Sequence, residues 1–208
     1  MAVQERILET ALRMFRTIGI KNVTMFDIAR ECGISKKTVY EHFTDKAELI
    51  QAGIRTLLGT LREEMTNDRN EAADAIDEVI RTTANIQARA RTMNPVMLYE
   101  VQKYHPEIAK EIEQFRRDAV LQHIRGNLQR GMEEGLFNSH FNIDIIARMR
   151  QLQLETVFDP LQYPAAEFEL HEVMQELTTN YIMGIATLKG RKLAGQYLKI
   201  EEQDLTTI

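Results

Sequence analysis

Apolar residues recur every three or four positions along almost the whole chain, and no useful stretch alternates at the period of a half-buried strand. A first helix is expected from about Ala2 to Ile18, with Ile7, Leu8, Ala11, Leu12, Phe15 and Ile18 on one stripe and Gly19 closing it. Two short helices follow in residues 24–46, joined by a tight turn at Gly33. Thr44 is expected to cap a long helix beginning at Asp45, whose Leu49, Ile50, Ile54, Leu57, Leu58, Leu61 and Met65 keep the period. Residues 66–72 read as a polar break. Further helices are expected to about Arg91, over VMLYEVQKY, from Pro106 to Glu134, from Ile143 to Phe158 and from Ala165 to Lys189. The fold class is therefore all-α. An N-terminal three-helix unit over residues 1–46 precedes a larger helical domain over residues 47–208.

The paired short helices carry the chemistry. Thr24 stands at an N-cap with Asp27 three residues on, close to a capping box, and Ile28 and Ala29 give that helix an apolar face. Gly33 supplies the left-handed backbone that ends it, and Ser35 caps the next helix. There Val39 and Phe43 are spaced to pack inward, which leaves Lys36, Lys37, Thr38, Tyr40 and His42 outward. Cations, a hydroxyl, a phenol and an imidazole on one exposed face suit phosphates and base edges. A surface hairpin with solvated lysines is the plainer reading, but it does not call for two caps, a turn glycine and a polar outer face together.

Composition narrows the classes. The 208 residues are 44% hydrophobic and include four prolines and ten glycines, as expected of a helical globular chain. No apolar run has membrane-spanning length, the N-terminus lacks the apolar core of a signal peptide, and a cytoplasmic location is expected. The lone Cys32 fits a reducing compartment and reads as a small packing residue. The net charge of −5 is unevenly placed: residues 1–50 carry eight Lys or Arg against seven Asp or Glu, and the rest carries 18 against 24. A near-neutral DNA module has modest non-specific affinity, so binding strength points to two copies.

The segment GIKNVTMFDIARECGISKKTVYEHFTDKAELI, beginning at Gly19, resembles the N-terminal signature of the TetR family of bacterial transcriptional regulators. The resemblance rests on the glycine before an apolar residue, the Thr opening the second helix, "IA" with "G-apolar-S" at the turn, and "TxYxHFxxKxxL". Cys32 replaces the usual alanine, and Asp45 takes a variable position. The family implies that Lys37 and Thr38 reach base edges in the major groove of double-stranded operator DNA. It implies phosphate contacts from Lys36, Tyr40, His42, Lys46 and the Thr24 hydroxyl, and Ser35 completes the DNA-facing set. It also implies a homodimer whose C-terminal helices bind an unknown small apolar or amphipathic effector, with the helix from Asp45 to Met65 as the link. The expected function is repression of a palindromic operator, released by that effector. Activation by the same fold, or ligand-independent chromosome organisation, are the alternatives.

Leu61, Met65, Ile86, Met93, Met97, Tyr99, Tyr104 and Phe115 come from the helices that surround the family's pocket, although any one of them also suits plain core. For the dimer interface the candidates are Met149, Leu152 and Thr156 from one helix. Met174, Leu177, Tyr181, Gly184, Ile185 and Leu188 come from the last, and both stripes are expected to serve core and partner together. The histidines lack metal-type spacing, so no metal or other cofactor is expected. No Gly-rich phosphate loop, G-x-S-x-G or H-E-x-x-H supports an enzyme.

Overall fold

The computed structural model describes residues 2–91, 96–159 and 161–199, and among these the chain is all-α, with one isolated bridge between Phe137 and Ala186. The helices are α1 (Val3–Ile18), α2 (Met25–Cys32), α3 (Lys36–His42), α4 (Lys46–Glu71), α5 (Ala75–Ala90), α6 (Val96–Tyr104) and α7 (Pro106–Phe115). After a π-helical turn (Arg116–Val120) come α8 (Leu121–Glu133), α9 (Ile143–Thr156), α10 (Leu170–Ile185) and α11 (Leu188–Leu198). No helix of the described residues is long and apolar enough to cross a membrane.

Several boundaries differ from the sequence reading, each for a local reason. Residues 66–71 continue α4 rather than break it: they contain neither Gly nor Pro. Asp68 in that segment is buried, and its carboxylate accepts from Asn85 Nδ2 (2.7 Å) and Thr82 Oγ1 (3.1 Å). The cap of α4 is Asp45, whose Oδ1 accepts the Glu48 N–H at 2.8 Å, while the Thr44 hydroxyl donates to Glu48 instead. The span from Pro106 to Glu134 is interrupted by the π turn. The last long helix starts at Leu170 and stops at Ile185, because Ala186 turns extended and Thr187 opens a new helix by accepting the Gly190 N–H.

By packing, the chain forms two compact units, one up to Glu63 together with Arg89–Phe115 and the other Glu64–Ala88 together with the chain from Arg116 onward. The first is larger than residues 1–46, because Met97, Val101 and Ile108 from α6 and α7 join the core of Ile7, Phe15, Ile28, Val39, Phe43, Leu49 and Ile54. Each such side chain, fully removed from water, contributes roughly 1.5–3 kcal/mol before the entropy of ordering is subtracted. The second unit has its own core, built around Ile76, Leu121, Leu128, Phe137 and Ile182. Its most deeply buried charge, Glu78, is compensated: Arg130 Nη1 lies 3.1 Å from it, and Arg130 also donates to Glu134 and to the Ala72 carbonyl.

Candidate nucleic-acid interface

The geometry of α2 and α3 follows from their caps. Thr24 and Asp27 form a full capping box, with the Asp27 N–H donating to Thr24 Oγ1 (3.1 Å) and the Thr24 N–H donating to Asp27 Oδ2 (3.0 Å). The Thr24 hydroxyl also donates to Asp27 Oδ2 at 2.6 Å. These bonds hold the Asp27 carboxyl below the usual carboxylate range, with Arg30 and Lys46 adding to the effect. At the other end of α2, Gly33 is left-handed (φ 63°, ψ 35°), and the Ile34 N–H reaches back to the Ala29 carbonyl at 3.0 Å. The chain thus turns within two residues and enters α3 through Ser35, whose Oγ accepts the Thr38 N–H at 3.0 Å.

Val39 and Phe43 are buried as their spacing predicts, and they fix the roll of α3 about its axis. That roll leaves Lys36, Lys37, Tyr40 and His42 exposed and Thr38 half-exposed. The Lys36 ammonium sits 5.5 Å from the centre of the Tyr40 ring, so these two side chains are held as a pair on the outer face. Glu41 is exposed as well, an acid that the reading of the pattern passed over. Lys46 is half-buried at the start of α4. Burial pulls its ammonium below the usual lysine range, against the opposing influence of Glu100 and Asp27.

Two of the expected contacts are altered by this geometry. The Thr24 proton is committed to Asp27, so a phosphate meeting that hydroxyl finds its donor already engaged. The Thr38 hydroxyl lies 2.9 Å from Ser35 Oγ, inside the cap rather than standing free. Pattern reasoning missed Glu100 altogether. This α6 residue is only 5% exposed, and its Oε2 accepts the N–H of Ile20 (2.6 Å) and of Lys21 (3.0 Å) in the turn before α2. The signal was an acid on the apolar face of VMLYEVQKY.

The other sequence candidates scatter. Of the expected pocket residues, Met97 is spent in the core of the first unit, and Tyr99 and Tyr104 are exposed with the Lys103 ammonium 5.4 Å from each ring. Phe115 is buried beneath the Arg62 guanidinium. Leu61 is half-buried in the first unit and Met65 in the second, and Ile86 packs on a small cluster formed by Val157, Val173 and Met174. Met93 lies outside the described residues. The interface stripe also divides. Met174, Tyr181 and Ile185 are buried within their own unit, so none of them presents a surface to a partner, because the inward face of α10 is the one that carries them. Met149, Leu152, Thr156, Gly184 and Leu188 are exposed and Leu177 is half-buried, with Ile145 extending the open apolar stripe of α9.

The model of bacterial regulatory proteins of the tetR family matches residues 7–52. YvaF, an HTH-type transcriptional regulator of Bacillus subtilis, is 23% identical over 88% of this chain and 95% of its own length. TtgR, an HTH-type transcriptional regulator of Pseudomonas putida, is 31% identical over 58% of this chain, a match that spans 60% of its own length. The structure of SmeT in complex with triclosan superposes with a TM-score of 0.69 at 20% identity, covering 90% of this chain and 93% of SmeT.

Proposed function

Because this chain belongs to the TetR family of transcriptional regulators and carries that family's helix-turn-helix, we propose that it acts in the cytoplasm as a homodimeric repressor of a palindromic operator. A small molecule bound by the helices of the second unit releases it from DNA. The observation that carries the DNA reading is the face of α3. Two caps and two buried anchors hold Lys36, Lys37, Thr38, Tyr40 and His42 outward on a seven-residue helix, short enough to enter a major groove end-on.

Lys37 and Thr38, in the first turn of α3, are the base readers; Lys36, Tyr40, His42 and Lys46 hold phosphates and set the register. Ser35 contributes by fixing the helix start. The near balance of charge in residues 1–50 supports the two-fold arrangement, since one copy brings little non-specific attraction. The exposed Ile145, Met149 and Leu152 of α9 supply an apolar face suited to a second copy. The triclosan held by SmeT supports a small-molecule effector for this chain. A chain acting this way binds and releases, and needs no catalytic group.

Selection of bound fragments from a random DNA pool tests this reading. Inverted repeats should emerge, with half-site centres about 34–36 Å apart or a multiple of that. Enriched sequences without two-fold symmetry would refute the dimer on its operator, and no enrichment at all would remove the base-reading role of α3.

A further inference from the structure

One acid stands among the outward cations of α3, at the point where the helix faces most directly away from the protein. Val39 and Phe43 are buried and mark the inner side. At 3.6 residues per turn, Glu41 lies about 180° round from their midpoint, Lys37 about 140° and Thr38 about 120°, with Tyr40 and His42 nearer the flanks. Glu41 is exposed, and its carboxylate has no hydrogen bond or ion pair among the described residues. Every other acid in residues 19–50 is spent. Asp27 closes the capping box with Thr24, Glu31 pairs with Arg13 at 2.8 Å, Asp45 caps α4 through the Glu48 N–H, and Glu48 accepts from Thr44. Lys37 stands one turn before Glu41, at the i,i+4 spacing of an ion pair, yet no pair joins them.

The length of α3 brings that carboxylate within reach of the bases. A helix entering a major groove about 8.5 Å deep by its first turn carries Glu41 about 6 Å behind Lys37, still inside the groove. Helical side chains lean toward the N-terminus, so the Glu41 side chain leans back toward the bases rather than out toward solvent. Between two rows of phosphates a carboxylate is repelled, and only a proton donor on a base edge offsets this. Guanine presents two acceptors, thymine an acceptor and a methyl group, and adenine sets its N7 acceptor beside its amine. Cytosine offers its N4 amine without an acceptor beside it on the same base.

We propose that Glu41 determines specificity at a further position of each half-site, its carboxylate accepting from the N4 amine of a cytosine and rejecting guanine and thymine there. The inference rests on the reading of bases by α3 and adds an acidic reader to Lys37 and Thr38. An unspent acid weakens the hold on every wrong sequence and is compensated only on the right one, so it serves discrimination at the expense of non-specific affinity. The near balance of charge in residues 1–50 agrees with that trade.

The test compares the full-length parent with Glu41→Gln and Glu41→Ala, by selection from a random DNA pool and then by gel-shift titration at fixed salt. The titrations use the selected operator and an unrelated duplex. The parent should keep a cytosine at one position of each half-site, and exchanging it for guanine or thymine should weaken binding by about fivefold or more. Glu41→Gln should select adenine at that position, because an amide meets adenine N6 and N7 together. Glu41→Ala should lose the preference there alone, and should hold the unrelated duplex about threefold more tightly or better. Parent operators without such a cytosine, or an Ala variant that keeps it, would each overturn the proposal. So would an Ala variant that tightens on every sequence with its base preferences unchanged. A parent that enriches no sequence overturns base reading by α3 as a whole, whereas an operator unaltered by both substitutions overturns the role of Glu41 alone. Circular dichroism checks the fold of both variants; should one unfold, the other variant and the base exchange on the parent's operator still decide.

Discussion

Replacing Glu100 tests whether the turn into the helix-turn-helix is held by one buried carboxylate. Its Oε2 accepts from Ile20 and Lys21, and it packs against Gly19, where a Cβ would lie 3.1 Å from the same oxygen. Ile20 is buried, so Glu100→Ala leaves its N–H with neither carboxylate nor water, while the exposed Lys21 regains solvent more readily. A hydrogen bond to a charged group contributes about 1.5–3 kcal/mol, and an abandoned buried donor costs about 1–3 kcal/mol. Taking the Ile20 bond in full and the Lys21 bond in part, Glu100→Ala should lower stability by about 2–4 kcal/mol. Glu100→Gln keeps an oxygen for the same donors without the charge and should lose only about 1–2 kcal/mol. Urea unfolding at pH 7, followed by circular dichroism, measures both: the midpoint should fall in the order parent, Gln, Ala at an unchanged slope. DNA affinity should fall in the same order, because the turn sets the start of α2. An Ala variant within about 0.5 kcal/mol of the parent would show that the clamp contributes nothing beyond ordinary surface substitution.

Asp27→Asn should destabilise at neutral pH, and the gap to the parent should close on acidification. The folded carboxyl titrates below its ordinary 3.8, so its contribution is present above that value and lost as pH falls through the folded one; urea midpoints from pH 7 to pH 3 check it. His123 has its pKa lowered chiefly by burial, with Glu78 opposing, so neutral His123 favours the folded state above about pH 6.5 and that advantage is lost as pH falls. His123→Gln should therefore lose less stability than the parent between pH 7 and pH 5. Gly131→Ala would drive a methyl group into the Phe137 ring and should cost about 1–3 kcal/mol, read as a lowered unfolding midpoint. Ser35→Ala should remove about 1 kcal/mol of α3 capping and weaken DNA binding more than it weakens the fold, as a gel-shift titration beside urea unfolding would show.

Helix existence was legible up to α10, because the inward positions follow the 3.6 period closely, but α11 (Leu188–Leu198) lies almost wholly beyond the last helix the pattern predicts. The helix-turn-helix was legible almost to the residue, since each of its caps is a short-range interaction between neighbours in sequence. Ends and placements set by distant contacts were not. The tail of α4 looked like a loop by composition, yet its Asp68 is claimed by Thr82 and Asn85 across a helix pair. Glu100 and Arg150 are charges standing in apolar slots. Arg150 falls on the buried α9 series with Ala147 and Val157, a break in hydrophobicity that signals an interior cation once it is noticed. The aromatic candidates failed for the opposite reason: large rings suggest interiors, whereas Tyr99 and Tyr104 lie on the open side of α6 under a lysine.

If α3 reads bases as proposed, the bond between Ser35 and Thr38 bears on how it would tell one from another. Ser35 Oγ already takes the Thr38 amide proton, and either hydroxyl can donate across the 2.9 Å that separates them. If Ser35 donates, Thr38 turns its own proton toward the groove and suits a guanine or thymine oxygen. If Thr38 donates, it offers a lone pair and suits an adenine or cytosine amine. One hydroxyl with two polarities welcomes every base and so selects none. On the proposed reading the choice would fall to what cannot be reversed, the methyl of Thr38 for a thymine and the charge of Lys37 for a guanine, and an operator read by this helix should keep those two positions most strictly.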